Sequence, residues 1–327
     1  MRRFIVKLGK WLLVCMGLLF VLGLLAEYRL YRNTRELYYS RQADWHLYHR
    51  RKHQILFIGN SRTSVHVDVN AAMQHFEVPA YSLCQDARHM EFFWYKFKKY
   101  IERNPLPKVI VLQADISSLL AVGFNMNTFY GKDKYLTYLF ANQLGINHYF
   151  ENEEGYKAYE AYIPLVRYIH YKDYFLAHWN RKFSDPYAPP HNSGAWLIDP
   201  TPVAKLKSLD LEVEQKRKLK KQDLSTFDFT FLDSFITFAQ QHRIQFMAVY
   251  PPQSWASYAT ESRVAIDSIT NYCKVRQVPY RNFNRSDYAA DSLFFNHIHL
   301  NAIGAKRYTA ELIQWMDSLG CKRKQEP

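Results

Sequence analysis

Cysteine is scarce and poorly placed for cross-linking. Four occur in 327 residues. Cys15 falls within an apolar run, while Cys84, Cys273 and Cys321 form an odd set without metal-ligand spacing. Neither a disulfide framework nor a metal site can be read from them, and nothing else in the chain calls for a cofactor. Acidic residues are also short, 30 against 43 Lys and Arg, for a net charge of +13. Such a surplus suggests nucleic acid, but its placement argues otherwise. Residues 1–52 hold 11 Lys/Arg and 3 Asp/Glu, which leaves only +5 over the other 275. Most of the excess flanks an apolar segment, as at a membrane surface. The basic run EQKRKLKKQD (214–223) reads as a solvated helix face, and no nucleic-acid partner is expected. No internal repeat is present. An apolar share of 48% and an aromatic share of 17% supply a packed core and exclude a disordered chain.

The N-terminus carries the one long apolar run, Trp11 to Ala26, 16 residues that Lys7 and Lys10 extend by snorkelling. Small residues at the −3 and −1 positions of a cleavage site are lacking, since the best pair is Leu24 with Ala26. The run therefore predicts a retained single-pass anchor in the cytoplasmic membrane. Four Lys/Arg precede it (Arg2, Arg3, Lys7, Lys10) and four follow closely (Arg29, Arg32, Arg35, Arg41), so the charge rule does not set its direction. The expected organisation is a short N-terminus (1–10), the span (11–26), a Tyr- and Arg-rich stalk (27–53) and one domain (54–327).

Within that domain, short apolar runs at 55–59, 80–83, 108–114, 244–250 and 278–283 alternate with helical patterns at 90–103, 229–242 and 261–276. Strand, helix and strand repeated in this way predict an α/β fold, a three-layer, doubly wound parallel sheet. About 130 residues separate the third run from the fourth, which predicts a large insertion at 116–228. Loops leaving strand C-terminal ends border the ligand crevice of such sheets. The insertion is thus a candidate lid or substrate wall.

The stretch ILFIGNSRT (55–63) ends a strand on Ser61, where a helix cap and a nucleophile are both chemically reasonable. A second element, NHIHLNAIGA (296–305), places His299 ahead of the last helix. The exits of the first and last strands are neighbours in these sheets, so His299 is a candidate base for Ser61.

IGNSRT resembles the GDS block of the SGNH/GDSL hydrolases, and NHIHLNAIGA resembles their last block, Asp-x-x-His-Leu-Asn-x-x-Gly-Ala. The likeness covers 55–115 and 244–315. The anchor, the PPQSW loop (251–255) and the lack of a Gly-x-Asn-Asp block are most similar to the membrane-tethered branch acting in teichoic-acid D-alanyl transfer and alginate acetylation. The resemblance implies a bacterial envelope esterase or O-acyltransferase with Ser61 as nucleophile and His299 as general base. It implies an envelope glycan or lipid-linked sugar as substrate, a domain outside the cytoplasm and, for a transferase, a membrane-bound acyl donor protein. A degenerate SGNH scaffold is the rival expectation.

Departures from the family pattern support that rival. Asn296 stands where the family has the Asp that orients its histidine, with Asp291 and Asp287 as substitutes if the loop bends back. Expected oxyanion donors are the amides of Ser61, Gln85 and Asp86, because the family glycine after the second strand and Asn after the third are missing. Asp115 stands near the latter position, a poor anion stabiliser unless protonated, and is open to a structural or Arg-pairing role or, with Arg62, to contact with substrate. Arg62 is open to two roles, holding a substrate carboxylate or phosphate, or forming a surface ion pair with Asp86 or Asp115.

Overall fold

The structure, a computed structural model, describes residues 2–33, 52–84, 89–119, 195, 197–198, 227–254, 263–284, 288, 291–296 and 298–321. The chain divides into two compact units, residues 1–45 with 123–188 and residues 46–122 with 189–327. In the first, the described element is helix α1 (Arg2–Asn33). Its stretch Arg3–Ala26 is 24 residues with a mean hydropathy of 2.2, long and apolar enough to cross a membrane. Trp11 and Leu13 are about 70% exposed along it.

The second unit is α/β. Its described elements run β1 (Ile55–Ile58), α2 (Ser61–His66), α3 (Val69–Phe76), β2 (Ala80–Ser82), α4 (Met90–Ile101), β3 (Val109–Gln113) and α5 (Ile116–Leu119). They continue α6 (Thr230–Gln241), β4 (Gln245–Tyr250), α7 (Arg263–Val275), β5 (Tyr280–Asn282) and α8 (Ala302–Ser318). The five strands are all parallel, in the order β2-β1-β3-β4-β5. Most of the expected insertion, 116–228, lies outside the described residues. So does the stalk.

Both faces of the sheet are covered, which is why its central strands read as continuous apolar runs rather than alternating ones. Ile55, Phe57, Val109, Val111, Met247 and Val249 project into one core with Val69 and Phe76 of α3 and Tyr308 and Leu312 of α8. The alternate residues Leu56, Ile58, Ile110, Leu112 and Ala248 are fully buried on the other side. There Phe97 of α4 and Phe235 of α6 meet at 5.4 Å, and Phe235 stacks on Phe246 of β4 at 6.4 Å. Truncating a buried phenylalanine such as Phe97 to alanine costs about 3–5 kcal/mol.

From β1 the chain crosses to one side to form β2, then to the other to form β3. The carboxyl ends of β1 and β3 consequently flank the crevice where open α/β sheets take ligands. Ile58 pairs with Leu112 at that edge. Residues 59–62 and 114–117 therefore leave the sheet side by side.

Candidate active site

Gly59 permits the tight exit from β1. A Cβ there would collide with Thr63 Oγ1 and stand 2.6 Å from Gln113 Oε1. The Gln113 oxygen instead accepts the Asn60 amide at 3.1 Å and the Thr63 hydroxyl at 2.7 Å. The helix cap is Asn60, whose side chain accepts the Arg62 amide at 3.0 Å. Ser61 is therefore the first helical residue and not the cap. The Ser61 amide has no protein acceptor among the described residues, as a first-turn amide is expected to lack one.

His299 reaches Ser61 from 238 positions away, with Nε2 2.8 Å from Ser61 Oγ. A tight loop delivers it. Phe294 bridges Leu300 in antiparallel fashion, and the Phe295 amide donates to the His299 carbonyl at 2.8 Å. Asn301 caps α8 by accepting the Ile303 and Gly304 amides, each at 3.0 Å. Its own Nδ2 donates to the Ser292 carbonyl at 2.7 Å. Gly304 must be glycine because a Cβ would strike the Leu293 carbonyl oxygen and lie 2.8 Å from Leu300 Cδ2.

Asn296 sits at the third corner. Its Oδ1 accepts the Ile298 amide at 3.0 Å and the His299 amide at 2.8 Å. Those two donors fix which end of the amide is which. Nδ2 therefore faces His299 Nδ1, at 3.1 Å. Where Nδ1 accepts from that Nδ2–H, the neutral ring carries its proton on Nε2. In that tautomer His299 donates to Ser61 and does not take its proton. Asp291 opens a short 3-10 turn, Asp291–Leu293. Its side chain, and all of Asp287, lie outside the described residues.

Arg62 does not face solvent. It is 4% exposed and Asp115 is fully buried. Their ion pair spans 2.5 Å. Arg62 also donates to Ser117 Oγ at 2.8 Å and Gln253 Oε1 at 3.1 Å. Asp115 further accepts the Gln113 side-chain amide, the Ser117 hydroxyl and the Ser118 amide, the last two at 2.8 Å. Of the two roles open to Arg62, pairing with Asp115 is the one present, in the interior and not at the surface as expected. Breaking so buried a pair costs about 3–5 kcal/mol, because the survivor keeps an uncompensated charge. Arg62 and Asp115 thus brace the floor beneath Ser61, and as placed neither offers a group to substrate.

Gln85 and Asp86 lie outside the described residues. The carbonyl before them, Cys84, accepts buried Lys96 Nζ at 2.7 Å. Four contributors went unnoticed in the sequence. Asn60, Gln113 and Gln253 carry no chemical signature, and His66 resembles any helical histidine.

No known family model matches this chain. No curated protein matches it in sequence.

Proposed function

We propose that the chain is a membrane-anchored serine esterase or O-acyltransferase of SGNH type. The observation carrying this reading is the 2.8 Å contact between Ser61 Oγ and His299 Nε2 at the crevice edge of the parallel sheet. Ser61 attacks the carbonyl carbon of an acyl ester, and its proton passes to His299 once the ring presents a lone pair at Nε2. The Ser61 amide donates to the developing oxyanion, together with the amide of Gln85 or Asp86. The alcohol leaves with the proton from His299, and water or a sugar hydroxyl then resolves the acyl-enzyme. Esterase and transferase differ only in that acceptor.

The anchor directs the activity to a surface-bound substrate, an envelope glycan or lipid-linked sugar, with a membrane-bound acyl donor protein as partner of a transferase. In this reading α1 is a single span in the cytoplasmic membrane and residues 27–327 lie outside. The test is fluorophosphonate labelling of the full chain in detergent, with the adduct mapped by mass spectrometry. An adduct on Ser61 is expected. Folded protein that never labels would overturn the enzyme reading.

One observation favours a second reading. Asn296 Nδ2 points at His299 Nδ1, the arrangement of a pair that does not activate its serine. A binding or scaffold protein of a glycan-modification system would carry such a pair, and the same labelling experiment separates the two.

A further inference from the structure

His66 lies on α2 five residues after Ser61, about 140° around a helix of 3.6 residues per turn. It is fully buried. The Leu300 amide donates to its Nε2 at 3.0 Å. That amide belongs to the residue next to His299. The two imidazoles stand edge to face, with centroids 6.3 Å apart. The other ring nitrogen, Nδ1, is buried without a partner among the described residues.

A histidine kept only for packing has no reason to bury a polar atom unpaired, since an aromatic hydrocarbon fills the space without that loss. What a hydrocarbon cannot do is accept the Leu300 amide. The neighbouring loop amides of Ile298 and His299 are held by Asn296, a member of the loop itself. The bond to His66 is different, for it joins the loop's main chain to the helix that carries Ser61. We infer that His66 is the positioning residue of the pair: by accepting the Leu300 amide it sets the distance between His299 and Ser61.

The role requires a neutral ring with a lone pair on Nε2. Burial first, then the charges of His299 and Arg62, hold His66 well below the usual histidine range, against the opposing effect of the Ile298 carbonyl. From α8, Tyr308 packs edge-on at 6.2 Å, and Thr309 Oγ1 lies 3.3 Å from the His66 carbonyl. Thr309 also accepts the Asp68 amide at 2.8 Å, so the end of α2 is itself anchored.

This inference rests on the proposed Ser61 chemistry, and its test separates the two. Two variants of the full chain are compared. His66→Gln places an oxygen near the Nε2 position, and His66→Phe keeps the ring volume without an acceptor. With Phe, the fluorophosphonate labelling rate and kcat on a small ester should fall about 10²-fold, the loss expected from a displacement of roughly 1 Å at the reacting atoms. KM should stay within about three-fold, and Gln should restore kcat to within about ten-fold of the parent. Ring-15N histidine NMR of the same samples reports the His299 Nε2 contact with Ser61 independently of activity. Loss of that signature in Phe and its return in Gln supports the inference even if the parent never labels, an outcome that sinks only the enzyme reading. Equal rates and an unchanged signature in Phe would overturn it, as would Gln and Phe failing alike. If Phe does not fold, Gln with the parent signature supports the role and Gln without it overturns it.

Discussion

Replacing Asn296 by aspartate tests whether the histidine's tautomer limits the site. The side chains are nearly isosteric. One aspartate oxygen keeps the Ile298 and His299 amides, at 3.0 and 2.8 Å in the parent. The other replaces the nitrogen 3.1 Å from His299 Nδ1. In the parent, His299 accepts the Ser61 proton only after its own proton moves to Nδ1, where it faces the Asn296 amide protons. That exchanges one hydrogen bond for a donor facing a donor, at a cost of about 1–3 kcal/mol, or roughly 5- to 150-fold in rate. Aspartate removes the mismatch and also stabilises the imidazolium of the transition state. The reverse change in a serine protease, a known example, lost about 10⁴. Asn296→Asp should therefore raise turnover of an activated ester at least about ten-fold and at most about 10⁴-fold. The assay is ester hydrolysis by the full chain, normalised to the fluorophosphonate-titrated fraction. Unchanged or lower turnover, with the Ser61–His299 contact intact in a crystal structure, would refute the tautomer argument. Asp291 and Asp287 should then be mutated singly.

Ser61→Ala should melt within a few degrees of the parent yet lose labelling and turnover by about three orders of magnitude or more, whereas Asn60→Ala, which removes the true cap, should cost about 0.5–2 kcal/mol. Chemical denaturation of Arg62→Ala and Asp115→Ala should each show a loss of about 3–5 kcal/mol, and near-parent stability in either would contradict the bracing role. His66 and Glu91 give opposite pH dependences of stability. The depressed His66 value means that the unfolded ring takes a proton below 6.5 which the native ring refuses, so stability falls as pH drops from 6.5. Glu91, raised from 4.5 to about 7 by burial and then by Asp228, favours folding below 4.5 and loses that contribution as pH rises through about 7. Thermal melts between pH 4 and 8 should show the acid-side loss flattened in His66→Gln and the neutral-side loss flattened in Glu91→Gln; parallel curves would contradict both. For topology, protease added to intact spheroplasts should digest residues 27–327, and full protection would exclude the proposed orientation.

The sheet was legible because its signals are local. Residues 55–59, 80–83, 108–114 and 244–250 are apolar enough to be buried on two faces, and each of them, like the half-buried edge run 278–283, contains a strand of the structure. The three helical patterns likewise hold α4, α6 and α7, since an apolar stripe at helical spacing has little else to form. Helix α3, Val69–Phe76, was missed: eight residues in VNAAMQHF are too short a window for periodicity to declare itself. Ser61 and His299 were recognisable as candidates from their flanking motifs, but the adjacency expected of the first and last strands does not hold: β3 and β4 lie between β1 and β5, and His299 reaches Ser61 from the loop ahead of α8. What the sequence could not determine were environments created by partners distant in the chain. Arg62 becomes a buried strut because Asp115 and Gln253, 53 and 191 positions away, close around it. Asn296 becomes a donor to His299 because two backbone amides claim its oxygen first. His66 acquires a role because Leu300 arrives from 234 positions away. A residue type states which hydrogen bonds are possible; only the tertiary structure, by burying a group and choosing its neighbours, decides which are made.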